Sequence, residues 1–506
     1  MILNRLLTIC LISFLAHTAF SQRIVYSEPD RDDSRRMNFE IIGKISGNIL
    51  VYKNMRNKGF IAAYDNEMKE TSKEELSYLP NERLINVDFF AYPDFSYMVY
   101  EYQKKNVVYC DAVKLDAFGK KIGDIIPLDT SHIGFAGNNK IYSTVSSENK
   151  SKLMVFKINS RNRNRFVITT LLFDDKLDLL KRSRFVMNME DHYDNLDEFN
   201  VDNDGDFIFA KYTRATNETI SNASIIWKAA QSDSIVTSDI SLNQIFLDEI
   251  HVKVDNTNRR YFLTSFYYKL KRGNIEGFFF YVWDKLTLAP ALQNSVVLGD
   301  EIRKEARGDA NSKMAFNDYF IRNIIIKKDG GFIINSEAYY TTSRYNSWNR
   351  WNYLYGLPYS GYNDYYSYSP YYSNWWMRNR YDNGQPVRYH ADNITILSFD
   401  KDGKLQWSDV IHKEQFDDES DDRVSFEVAN TGSQIHYLFN MDEKRTLLLN
   451  DFTLSPDGQV NHNPTLKNLD RGYEFMPKYG KQISSRQLLI PCYYRNFICF
   501  AKIDFN

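Results

Sequence analysis

Six times along the 506-residue chain an apolar or aromatic residue precedes aspartate at the end of a strand-like run: Tyr64-Asp65, Leu115-Asp116, Phe173-Asp174, Trp283-Asp284, Phe399-Asp400 and Ile503-Asp504, with Asn450-Asp451 as a variant. The spacings are commensurate. Asp65 and Asp116 lie 51 positions apart, Asp116 and Asp174 58, Asp400 and Asp451 51, and Asp451 and Asp504 53. The 110 positions from Asp174 to Asp284 hold two units, the missing marker falling near Trp227-Lys228. The 116 from Asp284 to Asp400 hold one unit and an insertion. Eight units of roughly 50 residues result. Tight turns follow several markers, as in Asp116-Ala117-Phe118-Gly119, Asp402-Gly403 and Asp457-Gly458. Glycine, and often aspartate, tolerates the positive φ of such turns, so the aspartates read as turn formers and not as ligands.

Between the markers, runs rich in β-branched and aromatic residues pair across polar turns: 48–53 with 60–64, 97–102 with 107–113, 140–145 with 153–158, 207–212 with 224–228, 261–269 with 278–283 and 435–439 with 446–450. No segment sustains a helical period. A unit of this length with four short strands is a propeller blade. The expected fold is therefore all-β: a single β-propeller over 22–506 with eight four-stranded blades, or seven if one unit is misread. Two residues follow Asp504, so the eighth unit lacks its outermost strand. Arg23-Ile24-Val25-Tyr26 belongs to no other unit and is expected to pair with the C-terminal blade, closing the ring and covering an open edge.

Composition fits a folded β protein, with 43% hydrophobic residues, 36 Tyr and 34 Phe. A formal net charge of −2 gives no global electrostatic attraction to nucleic acid. Residues 1–21 read as a signal peptide: Arg5, then the apolar Leu6 to Ala16, then Ala19-Phe20-Ser21 before Gln22. The apolar run is shorter than the roughly 20 residues of a membrane span, and too little of it precedes Cys10 for a lipoprotein signal. No later segment is a transmembrane candidate, so the chain is expected to be exported. Three cysteines remain after the leader. Cys492 and Cys499 fall opposite each other if Arg495-Asn496 is a two-residue turn; a disulfide and a pair of buried free thiols are both open.

The leader ending in Ala-Phe-Ser-Gln, the aromatic strands and the Asp-x-x-Gly turns resemble exported propeller-like proteins common in Bacteroidetes. The resemblance covers nearly the whole chain after residue 21 by repeat style and carries over no functional residue. It implies an envelope location, in the periplasm or on the outer-membrane surface.

One segment departs from the repeat. Positions 340–391, within the sixth unit, are crowded with Tyr345, Trp348, Trp351, Tyr353, Tyr355, Tyr359, Tyr362, Tyr365, Tyr366, Tyr368, Tyr371, Tyr372, Trp375 and Trp376. The insertion separates the two middle strands of blade six and should overhang the loop-bearing face near the central channel. Tyr and Trp combine large contact area with a polar tip, which favours interfaces, so these fourteen residues are the candidate partner-binding set. Folding back on its own blade is the plainer reading.

Other clusters carry less. Asp202-Asn203-Asp204-Gly205-Asp206 has carboxylates without the glycine and distal glutamate of an EF-hand, and reads as a blade turn. Asp417, Asp418, Glu419, Asp421 and Asp422 read as a solvated connection between the sixth and seventh units. Arg161, Arg163 and Arg165 alternate in a polar loop, and His132, His192, His251 and His436 are scattered without metal spacing. No catalytic residue, metal site or cofactor is assigned. The reading is a non-enzymatic platform docking a protein partner of an envelope or outer-membrane assembly. Its alternative is a propeller that binds or acts on glycans, with the rings stacking on sugars.

Overall fold

A computed structural model describes residues 22–505 except 31, 35–36, 56–57, 81–82, 134–140, 163, 191–192, 216–217, 308, 344–347, 349, 351–353, 355–386, 419, 444–445, 464 and 467–471. The expected leader, residues 1–21, lies outside the described residues. The strands form eight antiparallel sheets, so the count is eight and not seven. Blade 1 runs Asn38–Ile45, Asn48–Met55, Lys58–Tyr64 and Glu70–Glu75 from the axis outward. Blades 2 to 7 occupy 83–132, 142–188, 194–240, 246–297, 319–417 and 426–462, and blade 8 takes 473–504 with Arg23–Tyr26 as its outer strand. Of the expected strand pairs, 140–145 with 153–158 is the first and second strand of its blade, whereas the others are middle pairs.

The middle strands are buried on both faces. Arg260–Tyr268 and Ile275–Asp284 are almost wholly covered, whereas the outer strand Ala289–Val297 is largely exposed. A sheet with two apolar faces needs a neighbour on each side, and the core divides accordingly, one cluster per seam. Ile42, Tyr52 and Ile61 meet Val87, Met98 and Val113 between blades 1 and 2. Phe280 and Phe278 meet Phe332 and Phe399 between blades 5 and 6. The last seam joins Ile41, Val51 and Ala62 to Leu489, Ile498 and Phe500. First strands of neighbouring blades touch around the axis, and several carry bulges, as between Asp197 and Asn200 and between Ile321 and Asn323.

The repeating aspartate ends the third strand and builds the turn to the fourth. Asp65 Oδ1 accepts from the backbone N–H of Glu67 and Lys69, both at 2.9 Å. Asp116 repeats this with Phe118 and Lys120, and Asp400 with Asp402 and Lys404. Gly119 (φ 80°) and Gly403 (φ 74°) take the left-handed conformation where a Cβ would strike Ile61 and Phe280 of the preceding blade, at 2.5 and 2.3 Å. The turn glycine thus serves conformation and seam packing together. Blade 7 corrects one marker. Asp451 lies inside Thr446–Leu454, and the turn is built by Ser455 to Gly458 instead. Asp451 is buried beside His436, whose Nδ1 stands 3.0 Å from its Oδ2.

One helix, Asp300–Arg307, links blades 5 and 6. It escaped the periodicity reading because two turns with Ile302 and Ala306 as their only apolar residues make no sustained pattern. Arg303 anchors it, donating to the carbonyls of Leu298 (2.7 Å), Ile275 (2.9 Å) and Glu276 (2.7 Å).

Antiparallel alternation sorts the connections onto two faces. First-to-second and third-to-fourth turns share one face. Second-to-third turns and the links between blades share the other. The middle strands of blade 6, Phe332–Ser343 and Val387–Phe399, pair out to Ser343 opposite Val387, so the insertion leaves from this second face.

Cys492 and Cys499 do face each other, and both are buried free thiols. Phe505 N–H donates to Arg486 O at 2.9 Å, which makes that pair hydrogen-bonded. Counting in twos along the ladder, Cys492 and Cys499 are also a hydrogen-bonded pair, the wider of the two kinds. The wider pair is the less favourable of the two for a cross-strand disulfide, whose Cβ atoms must come close. A chain beginning at Gln22, denatured without reductant, should titrate three thiols: Cys110, Cys492 and Cys499.

The ring closes as expected. Arg23–Tyr26 pairs antiparallel with Phe497–Asp504, Ile24 opposite Ile503 and Val25 opposite Lys502. Tyr26 stacks on Tyr473 at 4.2 Å between centroids, and Ser27 exchanges hydrogen bonds with the Phe500 backbone at 2.8 and 2.9 Å. Deleting residues 22–27 should destabilise the protein by about 3 kcal/mol or more from the lost apolar burial. The bared Phe497–Asp504 edge should also drive association. Thermal unfolding and size-exclusion chromatography, against a chain beginning at Gln22, would read both effects.

Candidate functional site

Of the fourteen aromatic candidates, Trp348 alone lies among the described residues; the other thirteen fall outside them. Trp348 is half-buried on its own blade. Its ring meets Phe320 edge-on at 6.4 Å and Tyr339 at 6.0 Å, in a cluster completed by Ala391, Val424, Leu354 and Tyr389. Two positions on, Arg350 is 8% exposed and reaches wholly buried Asp248 on the link into blade 5. Its Nε lies 3.1 and 3.2 Å from the two carboxylate oxygens and Nη2 bonds Oδ2. Nη1 donates to Asn317 O at 3.2 Å, and the guanidinium sits 3.8 Å from the Phe320 ring centre. The stem of the insertion is thereby tied to the seam of blades 5 and 6. Neither Arg350 nor Asp248 carried a sequence signal, because they meet across 102 positions.

Beside this pair, the inner strand His251–Asp255 begins with an imidazole between two carboxylates. His251 Nε2 is 3.4 Å from Glu249 Oε1, and Nδ1 is 3.8 Å from Glu198 Oε1. Burial alone pulls the imidazole down, but Glu249 and Glu198 outweigh it and hold His251 at about 9. The carboxylates also work across seams. Glu198 Oε2 accepts the Val252 N–H at 2.7 Å and Glu249 Oε1 the Ile321 N–H at 2.8 Å.

The acidic run at 417–422, expected to be solvated, is largely buried, and this corrects the sequence reading. Asp417, Asp421 and Asp422 are 4, 9 and 5% exposed. Each is matched: Asp417 by Arg423 at 2.6 Å, Asp421 by Lys478 at 2.6 Å, and Asp422 by the hydroxyls of Tyr479 (3.0 Å) and Tyr493 (2.8 Å). Asp418 is exposed and pairs with Arg388, and Glu419 lies outside the described residues. The run stays inside because the link between blades 6 and 7 crosses a polar core. There Glu337 meets Lys413 at 2.9 Å, Arg322 at 3.1 Å and the Ser425 hydroxyl at 2.6 Å. Burial pushes the Glu337 carboxyl up, and the two cations bring it back below its usual range. Glu427, on the inner strand of blade 7, is pushed well above that range by burial.

On the opposite face, the Asp202–Asp206 cluster is the first-to-second turn of blade 4. Its three carboxylates converge on Lys285 of blade 5, whose Nζ lies 2.6, 2.7 and 2.8 Å from Asp202, Asp204 and Asp206. A tethered ammonium stands where a cation loop would hold its ion. A pocket of ≈100 Å³ beside it is walled by Asp255, Asn256, Arg259 and Tyr261. Arg165 is exposed at a strand start, while Arg163, His192 and the Arg161 side chain lie outside the described residues. His132 ends the outer strand of blade 2.

No protein-family model matches the sequence, and no curated protein matches it. Similar solved structures include prolyl oligopeptidase B from Galerina marginata, with TM-score 0.40 and 7% identity over 92% of this chain and 56% of that one. The chain thus spans about half that protein's length. Polysaccharide lyase Uly1 gives TM-score 0.36 at 9% identity, covering 96% and 99% of the two chains. The β-propeller domain of the trilobed protease from Pyrococcus furiosus gives 0.36 at 8%, covering 83% and 92%. The likeness extends to the fold alone.

The His251 cluster has a consequence for pH. With a native value of about 9 against about 6.5 unfolded, the imidazolium's contribution to stability is complete below about 6.5. It is lost as pH rises through 9. An NMR titration should place the His251 midpoint near 9. Glu249→Gln should lower it by about one unit or more.

Proposed function

We propose that this protein is a non-enzymatic propeller platform of the bacterial cell envelope, docking a protein partner through the face that bears the aromatic insertion. The observation that carries the reading is where that insertion is rooted. It leaves the second-to-third turn of blade 6, and its stem residues Trp348 and Arg350 hold it to blades 5 and 6 beside the inter-blade links. A segment this rich in tyrosine and tryptophan supplies contact area at low rotamer cost. The charged groups around its root favour the same reading. Asp248, Glu249, Glu337, Asp417, Asp418, Asp421 and Asp422 are each matched to a cation or hydroxyl. They serve structure more readily than proton transfer. The leader supports export.

Ser343 and Val387 face each other in register, so 344–386 can be replaced by a two-residue Asn-Gly turn. Combining this with Asp248→Asn avoids leaving a buried carboxylate unpaired. The variant should unfold cooperatively with unchanged far-UV circular dichroism. It should lose the partner that co-purifies stoichiometrically with the intact chain from native envelopes. A folded variant retaining that partner would sink the proposal. An intact chain recovered alone with bound sugar would favour the glycan reading.

A further inference from the structure

Among the described residues, the groups that bond the Arg350 guanidinium and the ring it lies on come from the propeller body. The floor of the seat they form is Asp248, wholly buried and held from three sides. Tyr268 Oη donates to Oδ1 at 2.8 Å, and the Asp248 N–H donates to Ser265 Oγ at 3.1 Å and Phe266 O at 3.0 Å. One wall is the Phe320 ring, the rim is the Asn317 carbonyl, and Glu249 adds a second negative charge nearby. These groups come from blades 5 and 6 and their links. The cation they receive comes from the insertion.

The geometry selects a guanidinium over an ammonium. Asp248 is engaged on both oxygens by Nε and Nη2, while the flat face of the cation lies on an aromatic ring and a third nitrogen meets a carbonyl. A planar fork of five donors satisfies all of these at once, whereas a point-charge ammonium cannot stack and bridge together. The anion, the ring and the carbonyl of this seat all lie outside the insertion. Trp348 and Leu354, the other described residues of the stem, are only half-buried, so Arg350 is its deepest described anchor.

We infer that this seat is a binding site for a guanidinium group, which Arg350 fills from within the chain. Seating of the insertion stem and capture of an external guanidinium therefore exclude one another. A tethered occupant competes at an effective concentration in the millimolar range, so the intact protein holds its own arginine and yields only to a ligand that outcompetes it. This inference does not rest on docking by the aromatic segment, and its probe is a small molecule, so the two stand or fall separately.

Arg350→Ala vacates the seat. Calorimetric titration with arginine amide should show binding about tenfold or more tighter to the variant than to the intact chain. Lysine amide should fail to compete, and Arg350→Ala with Asp248→Asn should abolish binding. A blocked Gly-Arg-Gly peptide binding as well as arginine amide would assign the seat to a side chain of another protein. Binding of the amide alone would assign it to a free guanidinium compound. A folded Arg350→Ala variant that ignores both, or binding that survives Asp248→Asn, overturns the inference. Should Arg350→Ala fail to fold, Arg350→Lys keeps a charge in place. Arginine amide should then raise its melting temperature in an Asp248-dependent way, and an unchanged melting temperature overturns the inference equally.

Discussion

Sheets that are apolar on both faces cannot stand alone in water, and each blade of this protein has two such faces. Tyr281 and Trp283 of blade 5 pack toward blade 4, while Phe280 and Val282 of the same strand pack toward blade 6. Alternation along a strand thus serves two seams at once, which is why the middle strands read as unbroken apolar runs. An open row of blades would leave two apolar sheet faces in water. Closure removes both, and it does so by joining residues near the two ends of the described chain. Met37 and Ile41 pack with Leu489 and Phe500 across one seam of blade 8, and Leu488 and Ile503 pack with Leu438 and Leu449 across the other.

Closing a ring by apolar packing leaves a polar problem at its inner rim. The first strands are the inner edges of their sheets, and an edge leaves backbone N–H groups that no further strand meets. Side chains from neighbouring blades accept them. Glu101 takes those of Ile141 and Tyr142, Glu198 that of Val252 and Glu249 that of Ile321. Carboxylates gathered around a propeller axis look like catalytic machinery when only their types are considered. Here their second oxygens or neighbours meet His251, Arg350 and Lys413, and the polar groups act as clasps between blades.

The blades were legible in the sequence because their marker is local. An aspartate accepting two N–H groups within four residues, with glycine at positive φ, needs no distant partner. The closing strand was legible because Arg23-Ile24-Val25-Tyr26 had no unit of its own and the eighth unit lacked a strand. What stayed hidden depends on contacts across many positions. Asp451 imitates the marker and is in fact a buried partner of His436. The run from Asp417 to Asp422 has the composition of a solvated loop, and the burial of Asp417, Asp421 and Asp422 is made tolerable by distant partners such as Arg423, Lys478 and two tyrosines from blade 8. Arg350 sits among tyrosines and asparagines with nothing in its spacing to point to Asp248.

The two faces of the ring differ in what they leave free, and this bears on where a ligand can be met. On the tight-turn face the turns are short and knitted to one another. Asn149 N–H donates to Asn203 at 3.1 Å, Asn203 N–H to Asn256 at 2.9 Å, and Asn256 Nδ2 to Glu148 at 2.7 Å, tying blades 3, 4 and 5 together. Lys285 adds three ion pairs across the same seam. A change in any of these turns disturbs its neighbours. The opposite face bears the helix Asp300–Arg307 with its anchor Arg303, the link with its buried carboxylates, and the root of the insertion, where Arg350 meets Asp248. Longer connections tolerate change more readily than short turns knitted to their neighbours. The proposed docking surface lies on that face, on a frame that the apolar seams hold together.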